Sequence, residues 1–112
     1  MIDIELDCEI YKNTKPYNYY YWDNVLDNKF AQNIQNEILN IEQERFDRYS
    51  NPFEQKWTLR DKNKLPYNCK KLYDYLESDE FIDKLSRIVG IQLYKDETKN
   101  FWGYINMIME IN

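Results

Sequence analysis

A chain of 112 residues with 43% hydrophobic and 17% aromatic content is long enough for one small domain, and two glycines with three prolines exclude a low-complexity polymer. Fifteen basic against twenty acidic residues leave a net charge of -5, which opposes non-specific DNA or RNA binding. Histidine is absent, so imidazole metal sites and Ser-His or Cys-His nucleophile pairs are excluded from these residues.

The opening Ile2, Ile4, Leu6, Cys8 and Ile10 alternate with Asp3, Glu5, Asp7 and Glu9, which predicts a strand with one buried face. The acidic row lies along that strand rather than converging on one point, so it reads as a solvated face and not a calcium shell. This start has neither a basic n-region nor an apolar h-region, and no apolar run reaches membrane-spanning length. A cytoplasmic location with reduced thiols is expected, Cys8 and Cys69 forming no C-x-x-C pair and reading as small packing residues.

Lys12 to Asn18 reads as a turn, and Tyr19-Tyr20-Tyr21-Trp22 as a second strand. Stacking of bases on these rings finds no basic groove nearby, so packing is the expected role. Asp27 is placed to cap a helix whose apolar residues Phe30, Ile34, Ile38 and Ile41 make one stripe through about Glu44. Ser50-Asn51-Pro52 signals a turn, and Lys56 to Arg60 a short strand. Pro66 opens a helix with Cys69, Leu72, Tyr73 and Leu76 on one face. Ser78 or Asp79 caps the next, which carries Phe81, Ile82, Leu85, Ile88 and Val89 and stops at Gly90. Ile91 to Tyr94 reads as a strand, Asp96 to Asn100 as a polar turn, and Phe101 to Ile111 as a last strand. The order gives an α+β fold in one domain, without repeat or linker. No phosphate-cradling glycine loop or hydrolase elbow is present.

Several blocks, in order, carry a resemblance. They are Tyr21-Trp22-Asp23-Asn24-Val25-Leu26-Asp27, Asn51-Pro52-Phe53-Glu54-Gln55-Lys56, Leu65-Pro66 and Leu76-Glu77-Ser78-Asp79-Glu80-Phe81. Leu85-Ser86-Arg87-Ile88-Val89-Gly90-Ile91 and Asp96-Glu97-Thr98-Lys99-Asn100-Phe101-Trp102-Gly103 complete them. Together, over roughly Tyr19 to Gly103, the chain resembles the N-terminal portion of prolyl-hydroxylase-like iron(II)/2-oxoglutarate-dependent oxygenases. The resemblance implies the first strands and supporting helices of a double-stranded β-helix (jelly-roll) whose intact relatives use Fe(II) and 2-oxoglutarate. In that family the H-x-D pair, the distal histidine and the basic residue for 2-oxoglutarate follow the segment matching Phe101-Trp102-Gly103. No catalytic, cofactor-binding or metal residue therefore carries over to this chain. Codons able to encode Gly103 to Asn112, read two nucleotides downstream, can spell V-H-K-Y-D-N-G-D-K, which looks like the family's continuation. The expectation is a truncated copy with a frameshifted tail over about residues 104–112.

Three functional readings follow. The first is a truncated oxygenase-like protein without turnover of its own. The second is a small protein-binding or inhibitory module, with a protein partner reached through uncovered strand edges and apolar faces, and neither nucleic acid nor membrane as partner. The third is a carboxylate-only enzyme of glycosidase type, for which no Asp or Glu spacing singles out a pair. Asp96 and Glu97 read as a solvated turn rather than metal ligands.

Overall fold

Asp27 accepts from the amide of Phe30 at 3.3 Å and starts α2 (Asn28–Leu39), as its position before an apolar-periodic run predicts. The structure is a computed structural model describing residues 8–96 and 104–108. Its other elements are α1 (Cys8–Asn13), β1 (Asp47–Ser50), β2 (Gln55–Leu59), α3 (Tyr67–Leu76), α4 (Asp79–Val89) and β3 (Ile105–Ile108). Single 3-10 turns occupy Gln43–Arg45 and Lys62–Lys64. The fold is α+β, and its strands form an antiparallel sheet in the order β1-β2-β3.

The sheet is organised by one turn. Asn51 Oδ1 accepts from the amides of Phe53 (2.8 Å) and Glu54 (2.7 Å), while the Asn51 amide donates to the Glu54 carbonyl. This Asx turn sets the β1–β2 register, Tyr49 opposite Lys56 and Asp47 opposite Thr58. On the other side β3 pairs Leu59 with Ile105 and Trp57 with Met107. Alternation along β2 sends Leu59 into a core with Phe46, Leu65, Cys69 and Tyr104, against which Ile34, Ile41, Trp57 and Tyr73 pack.

The opposite face of β2 holds buried Lys56 and Thr58. Among the described residues, the Thr58 hydroxyl has no hydrogen-bond partner. A buried unpaired hydroxyl costs desolvation without return, and valine keeps the branched shape. Thr58→Val is therefore expected to raise stability by up to about 1 kcal/mol, read as a higher urea midpoint. A loss of stability of that size would show that the hydroxyl is satisfied.

Local stop signals hold well. Ser78 Oγ accepts from the Phe81 amide and caps α4, and Gly90 ends it in the left-handed conformation at φ 75. Other expectations are corrected. Of the predicted strand Ile2 to Ile10, residues 1–7 lie outside the described residues, and Cys8 to Ile10 begin α1. Helical back-bonds close that turn, from Asn13 Nδ2 to the Glu9 carbonyl and from Thr14 Oγ1 to the Ile10 carbonyl. Tyr19 to Trp22 forms no ladder, although exposure alternates along it: Tyr19 and Tyr21 face out, while Tyr20 packs on Trp22. The α2 helix stops at Leu39, not Glu44, because Asn40 turns back on it, donating from Nδ2 to the Asn36 carbonyl. Strand β1 is missing from the sequence reading; its residues Asp47-Arg48-Tyr49-Ser50 are mostly exposed and show no alternation.

Ile91 to Tyr94 is not a strand, since the Leu93 amide is taken by Ser86 Oγ instead of a ladder. Residues 97–100 of the predicted polar turn, and 101–103 and 109–112 around the predicted last strand, lie outside the described residues. Within the tail, Tyr104 is buried in the core and β3 completes the sheet. The described residues contain one three-stranded sheet and an isolated bridge at Leu26, so facing jelly-roll sheets are not part of it. No described helix is long and apolar enough to cross a membrane.

Candidate interaction surface

The α3 helix begins at Pro66, which has no side-chain oxygen to cap it. The cap comes from another helix. Glu37 on α2 accepts from the amides of Asn68 (3.0 Å) and Cys69 (3.1 Å) and from Asn68 Nδ2 (2.9 Å). That contact buries Cys69 in the core. Burial pushes its thiol up to about 12, and the neighbouring Glu37 carboxylate adds to the rise. Buried in the core and disfavoured as thiolate, Cys69 is a packing residue, in keeping with the sequence expectation.

A second polar cluster fixes β3. Lys62 bridges Asp74 and Glu77 of the α3 end, and Tyr104 donates its hydroxyl to Glu77 Oε1 at 3.2 Å. Tyr73 donates to the Tyr104 carbonyl at 2.6 Å, and the two rings meet edge to face. The paired carboxylate of Asp74 holds the Lys62 ammonium above its ordinary range despite partial burial. Burial raises the hydroxyls of Tyr73 and Tyr104. Each carboxylate in these two clusters, Glu37, Asp74 and Glu77, is engaged by a protein donor.

The surface tells a different story. Phe53 stands at the hairpin tip with 97% of its area exposed. Its backbone is held by Asn51, whose Nδ2 also donates to the Tyr49 hydroxyl at 2.9 Å. The helix stripe predicted as core is only partly so: Ile34 and Ile41 pack inward, but Ile38 is exposed and α2 contains no fully buried residue. Tyr17, Tyr21, Leu39, Tyr67, Ile91 and Tyr94 are also widely exposed. Scattered apolar residues are ordinary, but a rigid turn that projects a phenyl ring into water is a costly arrangement without a partner.

Sequence reasoning foresaw the turn at Asn51-Pro52 but not what it displays. Glu37 and Lys62 also escaped notice, because their partners lie 31 and 12 to 15 positions away. Asp96 is exposed and outside any helix or strand, and Glu97 lies outside the described residues. No described cluster of Cys, Asp and Glu is arranged to hold a metal ion. No family model matches this chain, and neither a curated protein nor a solved structure shows significant similarity to it.

Proposed function

We propose that this chain is a protein-binding module built on a framework similar to the N-terminal part of iron(II)/2-oxoglutarate oxygenases, and that it performs no oxygenation itself. The observation that carries the binding reading is Phe53, pre-set by the Asn51 turn and almost wholly exposed. Interface energy concentrates in aromatic anchors, and a ring on a fixed backbone loses little entropy on docking. The oxygenase-like part rests on the ordered sequence blocks between Tyr19 and Gly103 alone. The reading of the chain's elements as the first strands and supporting helices of a truncated double-stranded β-helix belongs to this proposal, as does a cytoplasmic setting, which the free thiol of Cys69 suits.

The residues present do not fit the ferrous centre of the resembled family. That centre takes two imidazoles and a carboxylate, and the sequence supplies no imidazole. Glu37, Asp74 and Glu77 are meanwhile engaged by protein donors.

The test is site-specific photo-crosslinking in the source cell, with p-benzoylphenylalanine at position 53 and, as control, at exposed Lys29 on α2. A discrete adduct from position 53 alone is expected. Its partner, purified and titrated, should bind with an affinity at least about tenfold weaker for Phe53→Ser. No adduct, or equal affinity of the variant, would refute the reading.

A further inference from the structure

The Asn51 amide donates to the Glu54 carbonyl at 2.8 Å, so these two residues form a hydrogen-bonded pair at the root of the hairpin. Such pairs alternate along an antiparallel ladder. Tyr49 with Lys56 and Asp47 with Thr58 are therefore the next bonded pairs, and Arg48 with Trp57 and Ser50 with Gln55 the non-bonded ones. Arg48 and Ser50 thus turn their amides and carbonyls away from β2, toward the outer edge of the sheet. β1 is the terminal strand there. Among the described residues nothing takes up those backbone groups, and both residues are exposed. The register runs through Asp47–Ser50 without the bulge or proline that would close an edge.

Side chains divide by the same alternation. Arg48 and Ser50 share the face of Trp57 and Leu59, while Asp47 and Tyr49 share that of Lys56 and Thr58. On the second face Lys56 pairs with Glu54 at 3.1 Å and lies over the Tyr49 ring. On the first, Arg48 is the only charged residue that β1 or β2 contributes, and it has no ion-pair partner among the described residues.

We infer that the outer edge of β1 receives an extended strand of a partner protein, paired antiparallel to Arg48 and Ser50 and carrying an acidic side chain opposite Arg48. The inference rests on the protein-binding reading above and extends its site from the Phe53 tip to the strand that leads into it. Outward amides and carbonyls are matched by extended backbone rather than by a helix or a folded surface. An acid opposite Arg48 gives a favourable cross-strand pair on a face where the hairpin offers none. Two copies of this chain paired about Arg48 would instead set guanidinium against guanidinium, so the occupant is a different chain. A strand reaching two residues past Ser50, roughly 7 Å, comes level with the turn that displays Phe53. Backbone bonds then supply affinity, and Arg48 and Phe53 select the partner.

The probe is a dye-labelled nine-residue peptide of alternating threonine and valine with a central glutamate, titrated by fluorescence anisotropy against the full chain. It should bind, and N-methylation of its alternate amides, which blocks one bonding edge, should weaken it about tenfold or more. Arg48→Glu should reverse the preference between this peptide and its central-arginine counterpart. Ser50→Pro removes only an outward amide, which edge strands tolerate, so the hairpin persists, as circular dichroism verifies, while peptide affinity falls. No binding of the glutamate peptide, indifference to N-methylation, or an unreversed preference would overturn the inference. So would sedimentation showing a dimer that Ser50→Pro dissolves, since a second copy would then fill the edge. The photo-crosslinker at position 53 separates the two readings. An adduct that persists undiminished in Ser50→Pro sinks the edge alone; no adduct in the parent chain sinks the protein-binding reading and this inference with it.

Discussion

Replacing Glu37 with alanine is expected to destabilise the chain by about 2–4 kcal/mol, a large part of the margin of a small domain. One carboxylate serves three donors of α3, two of them backbone amides that have no partner within the helix. Charge-assisted bonds of this kind are worth roughly 1.5–3 kcal/mol each, and they are not additive within one cluster. Their loss also loosens the α2–α3 junction that packs Cys69, Ile34 and Ile41 into the core. Glu37→Gln keeps one carbonyl acceptor without the charge and should cost about half as much. Urea unfolding followed by tryptophan fluorescence measures both. A decisive control uses Pro66→Ser, which places a hydroxyl at the cap position of α3. In that background the Glu37→Ala penalty should shrink; an unchanged penalty would mean that capping is not what Glu37 contributes.

Stability should fall steeply in alkali. Each resolved shift raises a pKa: Cys69, Tyr73, Tyr104 and Lys62 all hold their protons more tightly folded than unfolded. For such groups the unfolded chain binds fewer protons above its own pKa, so folding free energy is intact below that point and drains away as pH rises toward the folded value. Cys69 acts first, rising from 9.0 to about 12, whereas the tyrosines and lysine start from 10.0 and 10.5. Linkage assigns to its thiol a loss on the order of 1 kcal/mol between pH 8 and 10, growing as pH rises further toward the folded value. Denaturant midpoints at pH 7, 8, 9 and 10 read this out. Cys69→Ala should be less stable at pH 7, since it leaves a small void, yet lose less between pH 8 and 10 than the parent chain. Parallel pH profiles for the two would contradict the burial of this thiol.

What the sequence disclosed was local. Asp27, Pro66, Ser78 and Gly90 act on neighbours within four residues, and each helix start or stop they signalled is present. Strands need a partner elsewhere in the chain, and that is where reading by periodicity gave way. Tyr19 to Trp22 has strand composition and even alternating exposure, but no ladder. Ile91 to Tyr94 has the composition too, and Ser86 takes the Leu93 amide. Strand β1 has neither signal, yet it forms because Asn51 folds the hairpin and β2 supplies the bonds. The candidate surface was hidden for a related reason. An apolar stripe such as Phe30, Ile34, Ile38 and Ile41 looks alike whether it is covered or open, and only packing distinguishes Ile34 from Ile38. The missing imidazole, by contrast, was legible at once, since an absent side chain needs no structure to be noticed.

That a histidine-free chain works through its surface rather than through a ferrous centre is tested most directly by anaerobic titration with iron(II) and 2-oxoglutarate, followed by admission of oxygen and assay of succinate. The prediction is no stoichiometric retention of iron and no succinate above the protein-free control. One ferrous ion held per chain, with succinate formed in proportion to the protein added, would contradict it.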